Sequence, residues 1–409
     1  MRSPKLLKLF TLAVFLEMIS GAYPWFFWNL NTNYLFVICT IVSLFYLKKN
    51  RLKLNTKSSY GLGFALLFIS TLLNVDTVSI NERVYQICSF IPMLAVVSDK
   101  KHGKEIYETI AKWLSYILVP SMLLHVLFLV IGFPPSMIIV NDAVPDSYVY
   151  FNYFILVKNI MMSDYQIRFC SIFLEPGYLG TMLSFLLYVG RFDFKKKYNI
   201  VFLLALILTL SLAGFVIAAL AWVLIKLQEG KSIKRLVQIA CILGIVYYGG
   251  INYNGGYNVL NEQILSRLQY DKDKGISGNN RASHMAEAYF DYYMQTGEIL
   301  FGVGRQQVRK INGGGAAGVD FNDQIRGAGY IIFFITYGII EAIVIFFGYL
   351  IFVRKTDKKY GYGFLLLIVV TFVQASYPLS PSWLIPFIFG CVLNPRNYEN
   401  RHTDISSCS

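Results

Sequence analysis

How Thr209-Leu-Ser-Leu-Ala-Gly214 is read sets the topology of the whole chain. It sits midway along an apolar run over 199–227, too long for one upright membrane span and short for two. Read as a tight turn, it divides the run into two short helices. Read as continuous helix, it makes one long tilted span and inverts the side on which everything downstream lies. Charge favours the turn: it leaves Lys226, Lys231, Lys234 and Arg235 on the same side as Lys195 to Lys197, and keeps Arg354 to Lys359 there too.

Similar apolar runs recur from end to end. The chain is 56% hydrophobic, and its 15% charged residues fall below the usual quarter of a soluble domain. The runs are continuous rather than alternating, which excludes a β-barrel. The expectation is an all-α polytopic membrane protein with about twelve transmembrane helices in one integral-membrane domain, 1–409. The spans fall near 7–28, 34–47, 60–73, 84–98, 113–133, 177–190, 199–211, 214–226, 235–251, 329–353, 362–376 and 383–393.

The net charge is +13, which in a soluble protein would suggest nucleic acid. Its distribution points elsewhere. With a cytoplasmic N-terminus, inside segments carry 26 of the 37 Lys and Arg and outside segments 11. The inside clusters are compact: Lys48, Lys49, Arg51 and Lys53; Lys100, Lys101 and Lys104; Arg191 and Lys195 to Lys197; Arg354, Lys355, Lys358 and Lys359. Both termini are then cytoplasmic, the first span reads as a retained signal anchor, and 394–409 is a polar cytoplasmic tail. The charge is a topology signal and requires no nucleic acid.

Of six cysteines only Cys170 lies near the outer face, so no internal disulfide is expected there, and no Cys-x-x-Cys pair suggests zinc. Walker, dinucleotide-binding and His-Glu-x-x-His motifs are missing from the sequence, so neither cofactor nor metal is expected.

Two outward loops are long, 134–176 and 252–328, and long loops in compact proteins usually carry function. The larger holds Arg267, Lys272, Lys274, Arg281, Arg305, Arg309, Lys310 and Arg326; the smaller holds Arg168. Outward arginine opposes the positive-inside bias, so something other than topology should keep it there.

Arg168-Phe-Cys-Ser-Ile-Phe-Leu-Glu-Pro-Gly-Tyr-Leu-Gly180 closes the smaller loop. Pro176 suits the first turn of a helix and biases Glu175 towards extended geometry. Glu175 at that helix mouth is either a cap carboxylate paired with Arg168 or a group that handles a substrate proton. In the larger loop, Asn279-Asn280 reads as a helix cap. Arg281, His284, Ala288 and Tyr292 follow at spacings that share one face. Phe301-Gly-Val-Gly-Arg305 offers backbone amides to an anion beside an arginine, and Gly313-Gly-Gly315 offers a lid hinge. A solvated helix and glycine loop is the plain alternative.

Other features read more simply. Asp271-Lys-Asp-Lys-Gly275 is a solvated turn, its lysines cancelling its acids. His125 is a packed core histidine rather than a proton relay. Glu17 and Glu341 lie within spans, either as ion-coupling groups or bonded to polar neighbours between helices. Ser147-Tyr-Val-Tyr-Phe-Asn-Tyr-Phe154 is an aromatic cluster suited to the membrane interface or to stacking on sugar rings.

In order and placement these pieces resemble the O-antigen and capsular polysaccharide polymerases of the Wzy type, relatives of the O-antigen ligases. The resemblance is carried by Arg168 with Glu175-Pro-Gly177, by Thr209-x-Ser211-x-x-Gly214, by Arg281 ahead of Gly302-x-Gly304-Arg305, and by the Gly327 to Gly338 re-entry into the membrane. It covers about 160–350 together with the overall topology. It implies a glycosyltransferase of the bacterial inner membrane that joins polyprenyl-diphosphate-linked oligosaccharide units on the periplasmic side. The roles it implies are Arg281 and Arg305 holding the diphosphate with help from Arg168, and Glu175 orienting or deprotonating the acceptor hydroxyl. Tyr178, His284, Tyr292, Gly302, Gly304 and Arg309 would line the substrate. Implied partners are the lipid-linked oligosaccharide and membrane lipids, with a chain-length regulator as a further candidate.

Two departures stand out. The family's Arg-x10-Gly spacing is one residue too long at Arg168 to Gly180, although Arg267 to Gly278 matches it. Around Asn322-Asp-Gln324 there is no histidine of the kind ligases carry, which favours polymerase over ligase. A lipid-linked oligosaccharide flippase is the rival from another class; it predicts repeated halves, and none is visible.

Overall fold

A computed structural model describes residues 4–28, 30, 32–52, 59–72, 80–140, 149–161, 167–230, 244, 247–258, 261, 265, 270–271, 275–276, 284–311, 329–374 and 379–396. Arg281, the Asn279-Asn280 cap, Arg267, the Gly313-Gly-Gly315 hinge, Asn322-Asp-Gln324 and the tail beyond Arg396 lie outside the described residues, as do Lys231, Lys234 and Arg235.

Thirteen α-helices are present among the described residues. They are α1 Pro4–Ser20, α2 Thr32–Lys49, α3 Ser59–Leu72, α4 Ile80–Ser98, α5 Gly103–Ile131, α6 Pro176–Val189 and α7 Lys197–Thr209, followed by α8 Leu212–Gln228, α9 His284–Thr296, α10 Gly304–Ile311, α11 Gly329–Val353, α12 Lys358–Gln374 and α13 Pro381–Leu393. The chain is mostly helical, and α5 and α11 are long and apolar enough to cross a membrane. Shorter apolar helices accompany them, α6, α7, α8 and α13 among them. On α5 the residues Tyr116, Val119, Leu123, Val126 and Val130 are exposed at three- and four-residue spacing, so an apolar stripe faces outward.

The run over 199–227 is two helices joined by a turn. Leu210 takes left-handed geometry at φ 47. Thr209 Oγ1 donates to the Leu206 carbonyl at 2.6 Å and accepts from the Ser211 amide at 3.2 Å. Ser211 caps α8 by accepting from the Gly214 amide at 3.3 Å. α6 crosses this turn through small residues. A Cβ on Gly214 would stand 3.1 Å from Gly180 Cα, and Ser184 Oγ bonds both the Gly180 and Gly214 carbonyls, at 2.7 and 2.9 Å. Small residues are what permit such a close crossing.

Three expectations are corrected. The first apolar run is not helical through Trp28: α1 stops at Ser20, Tyr23 has φ 52, and Pro24 forces an extended link before a single turn over Trp25–Phe27. The fold is not wholly α. The smaller loop holds an antiparallel sheet of β1 Met137–Val140, β2 Val149–Asn152 and β3 Val157–Asn159, in the order β1-β2-β3. β4 Tyr270–Asp271 and β5 Gly275–Ile276 form a small hairpin in the other loop. Finally, α11 is not one smooth helix. Gly338 breaks it with φ 86 and ψ 164.

The bundle has two chemically different ends. At one, the Tyr46 hydroxyl donates to Asp99, which also bonds His102 Nδ1 at 2.9 Å. There, too, Lys196 pairs with Glu108 at 2.7 Å, Arg191 reaches Asn394 at 3.1 Å, and Gln228 donates to the Lys359 carbonyl at 3.3 Å. These contacts gather the clusters around Lys48, Lys100, Lys196 and Lys359 at that end. The other end carries the α7–α8 turn, the start of α6, the three-stranded sheet and the Gly21 to Ser382 contact between α1 and α13.

Candidate functional site

Pro176 opens α6 at its first position, and Glu175 before it is extended at φ -139 and ψ 148. The Glu175 side chain makes no capping hydrogen bond, so it is not held as the helix cap. It is half-buried at the end of the bundle away from the basic clusters.

Arg168 is 8% exposed, and its Nε donates to the Thr209 carbonyl at 3.2 Å. The next amide, Phe169, donates to the Leu208 carbonyl at 3.0 Å. Two bonds therefore dock this segment onto the α7–α8 turn, satisfying carbonyls that a helix terminus leaves open. Lys158 on β3 is 3% exposed, with Nζ 4.5 Å from the centre of the Phe133 ring. Burial lowers its pKa to about 8, while the Cys170 thiol works slightly the other way.

Cys170 ties these groups together. Its Sγ donates to the Val157 carbonyl at 3.2 Å, and the Val157 amide donates to the Ser171 carbonyl at 2.8 Å. Burial pushes the thiol up to about 12; Lys158 and Arg168 pull it down and Glu175 pushes it up further. Two cations and a carboxylate thus act on one sulfur. A thiol held this high is inert as a nucleophile.

Aromatic side chains frame this cluster. The Tyr178 and Tyr23 rings lie 5.5 Å apart, and Trp28 and Tyr150 lie 5.0 Å apart. Trp25 donates its indole N–H to the Phe154 carbonyl at 2.8 Å and its amide to Ile172 at 2.9 Å. In the 147–154 cluster, Tyr150 is buried whereas Phe154 is exposed, so only part of it could stack on a ligand. His125 is buried, with Nε2 3.2 Å from the Ile167 carbonyl, and so fixes the backbone just ahead of Arg168.

The larger loop forms a second cluster. Ala286 and Tyr293 of α9, Ile299, and Val308 of α10 pack on Ile331 and Ile335 of α11. Tyr330 and Phe334 touch both this cluster and the main core. Tyr292 is 55% exposed, against Tyr293 at its side. His284 begins α9, and Arg305 and Arg309 lie four residues apart on α10. Gly302 and Gly304, at φ 75 and 83, bracket the entry to α10. Gly302 does more than offer amides. A Cβ there would lie 2.6 Å from the Gly338 nitrogen, and one on Gly338 would lie 2.4 Å from the Phe301 carbonyl carbon. The glycine turn is seated in the break of α11, where the Val303 amide donates to the Ile335 carbonyl at 2.8 Å.

Of the expected site residues, Arg168 and Glu175 both act on the Cys170 thiol, and Tyr178 packs on the cluster that holds Cys170. His284, Tyr292, Gly302, Gly304, Arg305 and Arg309 belong to the unit seated on the first half of α11. Lys158 was not singled out from the sequence, where it is one more outward cation. Among the described residues no three of His, Cys, Asp and Glu group closely enough to hold a metal. No family of known proteins, no curated protein and no solved structure matches this chain.

Proposed function

We propose that this chain is a polytopic glycosyltransferase of the bacterial inner membrane, a polysaccharide polymerase of the O-antigen or capsule type. It transfers polyprenyl-diphosphate-linked oligosaccharide units onto an acceptor repeat. The single observation that carries this reading is that buried Arg168, buried Lys158 and half-buried Glu175 all act on the one Cys170 thiol, at the end of the bundle remote from the basic clusters. The apolar stripe of α5 and the segregation of lysines support about twelve spans, with both termini cytoplasmic and the 134–176 and 252–328 loops periplasmic.

The chemistry follows from the charges. As the anomeric C1–O bond breaks, a lipid diphosphate leaves as an anion, and fixed cations stabilise it. Guanidinium suits phosphate oxygens because it stays charged and binds bidentately. Arg168 and Lys158 supply that charge from the α6 side, and Arg281 and Arg305 supply it from the larger loop. The acceptor hydroxyl attacks C1 with inversion and passes its proton to Glu175. Tyr178 and Tyr23 offer ring faces to the sugars. Bond energy is already stored in the donor, so no nucleotide is consumed.

The test is purified full-length protein with a synthetic polyprenyl-diphosphate-linked repeat, without nucleotide. Oligomers of increasing length are expected, and Glu175→Gln should leave single units. Unchanged substrate after incubation, together with transbilayer movement of the lipid-linked unit in vesicles, would establish a flippase instead.

A further inference from the structure

Between α3 and α4 lies a cavity of about 370 Å³. Tyr60, Phe64, Phe68, Phe90, Ile91 and Leu94 line it, and the exposed Leu62 and the outward-facing Ala65 mark its open side. Its few polar groups are already occupied. Ser98 Oγ donates to the Leu94 carbonyl at 2.8 Å, and the Tyr60 hydroxyl reaches the Cys391 carbonyl at 3.5 Å. A polar ligand would find nothing to bond inside, whereas an alkyl chain would lose no hydrogen bond on entry. The slot cannot close by a shift of α3, because α3 is fixed on its other face. A Cβ on Gly63 would lie 3.0 Å from the Gly348 carbonyl oxygen, so α3 and α11 already touch.

The mouth is basic. Lys100 is exposed, with its Nζ 5.1 Å from the centre of the Tyr60 ring at the end of the slot. Exposed Lys101 and Lys104 follow it. The neighbouring carboxylate, Asp99, is 2% exposed and is turned to Tyr46 and His102 instead. An apolar slot with cations at one end selects an amphiphile with an anionic head.

We propose that this slot holds one anionic phospholipid of the bilayer leaflet at the lysine-rich end, with an acyl chain between α3 and α4 and its phosphate on Lys100. The proposal rests on the membrane reading and is independent of the transferase reading. Lipid binding here would fix α4 against α3 towards the lysine-rich end, opposite the end that holds Arg168.

Native mass spectrometry of the full chain in mild detergent tests it, with phosphatidylglycerol and phosphatidylcholine offered in equal amounts. One phosphatidylglycerol per chain should be retained in preference. Lys100→Gln should weaken that preference about fivefold, the scale of one lysine near an anionic surface. Ala65→Trp should fill the slot and abolish retention of both lipids. Equal retention of the two lipids by the unaltered protein, or unchanged retention by Ala65→Trp, overturns the proposal. A chain that stays in solution without detergent overturns the membrane reading itself. Polymer formation, assayed in parallel, reports on neither.

Discussion

Arg168 is held by Thr209: its Nε donates to the threonine carbonyl at 3.2 Å, so the turn that reverses the chain also aims a guanidinium. The sequence between α7 and α8 thereby sets the position of a charge 41 residues upstream. A lysine could supply the charge but not a planar guanidinium held through its Nε.

Arg168→Lys should therefore lower polymer formation by about 10²–10³, the usual cost of a lost electrostatic donor. Membrane insertion, read by protease protection, should be unchanged. Wild-type chain lengths from Arg168→Lys would show that the guanidinium is structural only.

In the transferase reading, Lys158 makes polymer formation sensitive to alkaline pH. Burial lowers it to about 8, so its charge is present below that pH and is lost as pH rises through it. Polymer formation should fall along a limb near pH 8, and Lys158→Arg should remove that limb. Stability runs the other way. The unfolded lysine keeps its proton to about 10.4, so between the two values the unfolded state binds more protons and stability rises with pH. Lys158→Met should flatten that rise in thermal unfolding scans taken from pH 7 to 10.

Gly302 and Gly338 allow two backbones to touch, each at a φ that disfavours side chains. Gly302→Ala and Gly338→Ala should each destabilise the seating of the glycine turn by about 1–3 kcal/mol. Faster proteolysis within 252–328, with the main bundle intact, is the expected signature. Combining the two changes should add little, because either one unseats the turn.

Cys170 should resist alkylation. It is 4% exposed, and burial pushes it up to about 12. Maleimide added from either side of sealed vesicles should leave it unmodified until the protein is unfolded. Rapid labelling of native protein would show that the segment carrying Arg168 opens.

Much of the frame was legible before any coordinates. Pro176 announced the start of α6, because only a first-turn position suits its ring. Ser211 and Gly214, together with the lysines flanking the run, announced the α7–α8 turn. Other elements were opaque for physical reasons. Met137-Ile-Ile-Val140 is too short an apolar run to separate strand from helix, and its strand character depends on pairing with Val149 to Asn152. The meeting of Gly302 with Gly338 is tertiary, and nothing local in either segment implies it. Lys158 was hidden because a cation in an outward loop reads as solvated until burial shows otherwise. Trp25 to Trp28 misled because their apolarity masked the break imposed by Pro24.

The shortness of α7 has a mechanical corollary. Thirteen residues rise about 20 Å, well under the roughly 30 Å hydrocarbon thickness of a bilayer. In the membrane reading α7 turns Ile200, Leu204 and Ile207 to the lipid, so the leaflet beside the α7–α8 turn pinches inward or admits solvent. In the polymerase reading, a diphosphate headgroup then reaches Arg168 sideways without leaving its own plane. Spin labels at Leu204 and Ile207 would reveal such a dimple as water contact at a depth where neighbouring lipids stay dry.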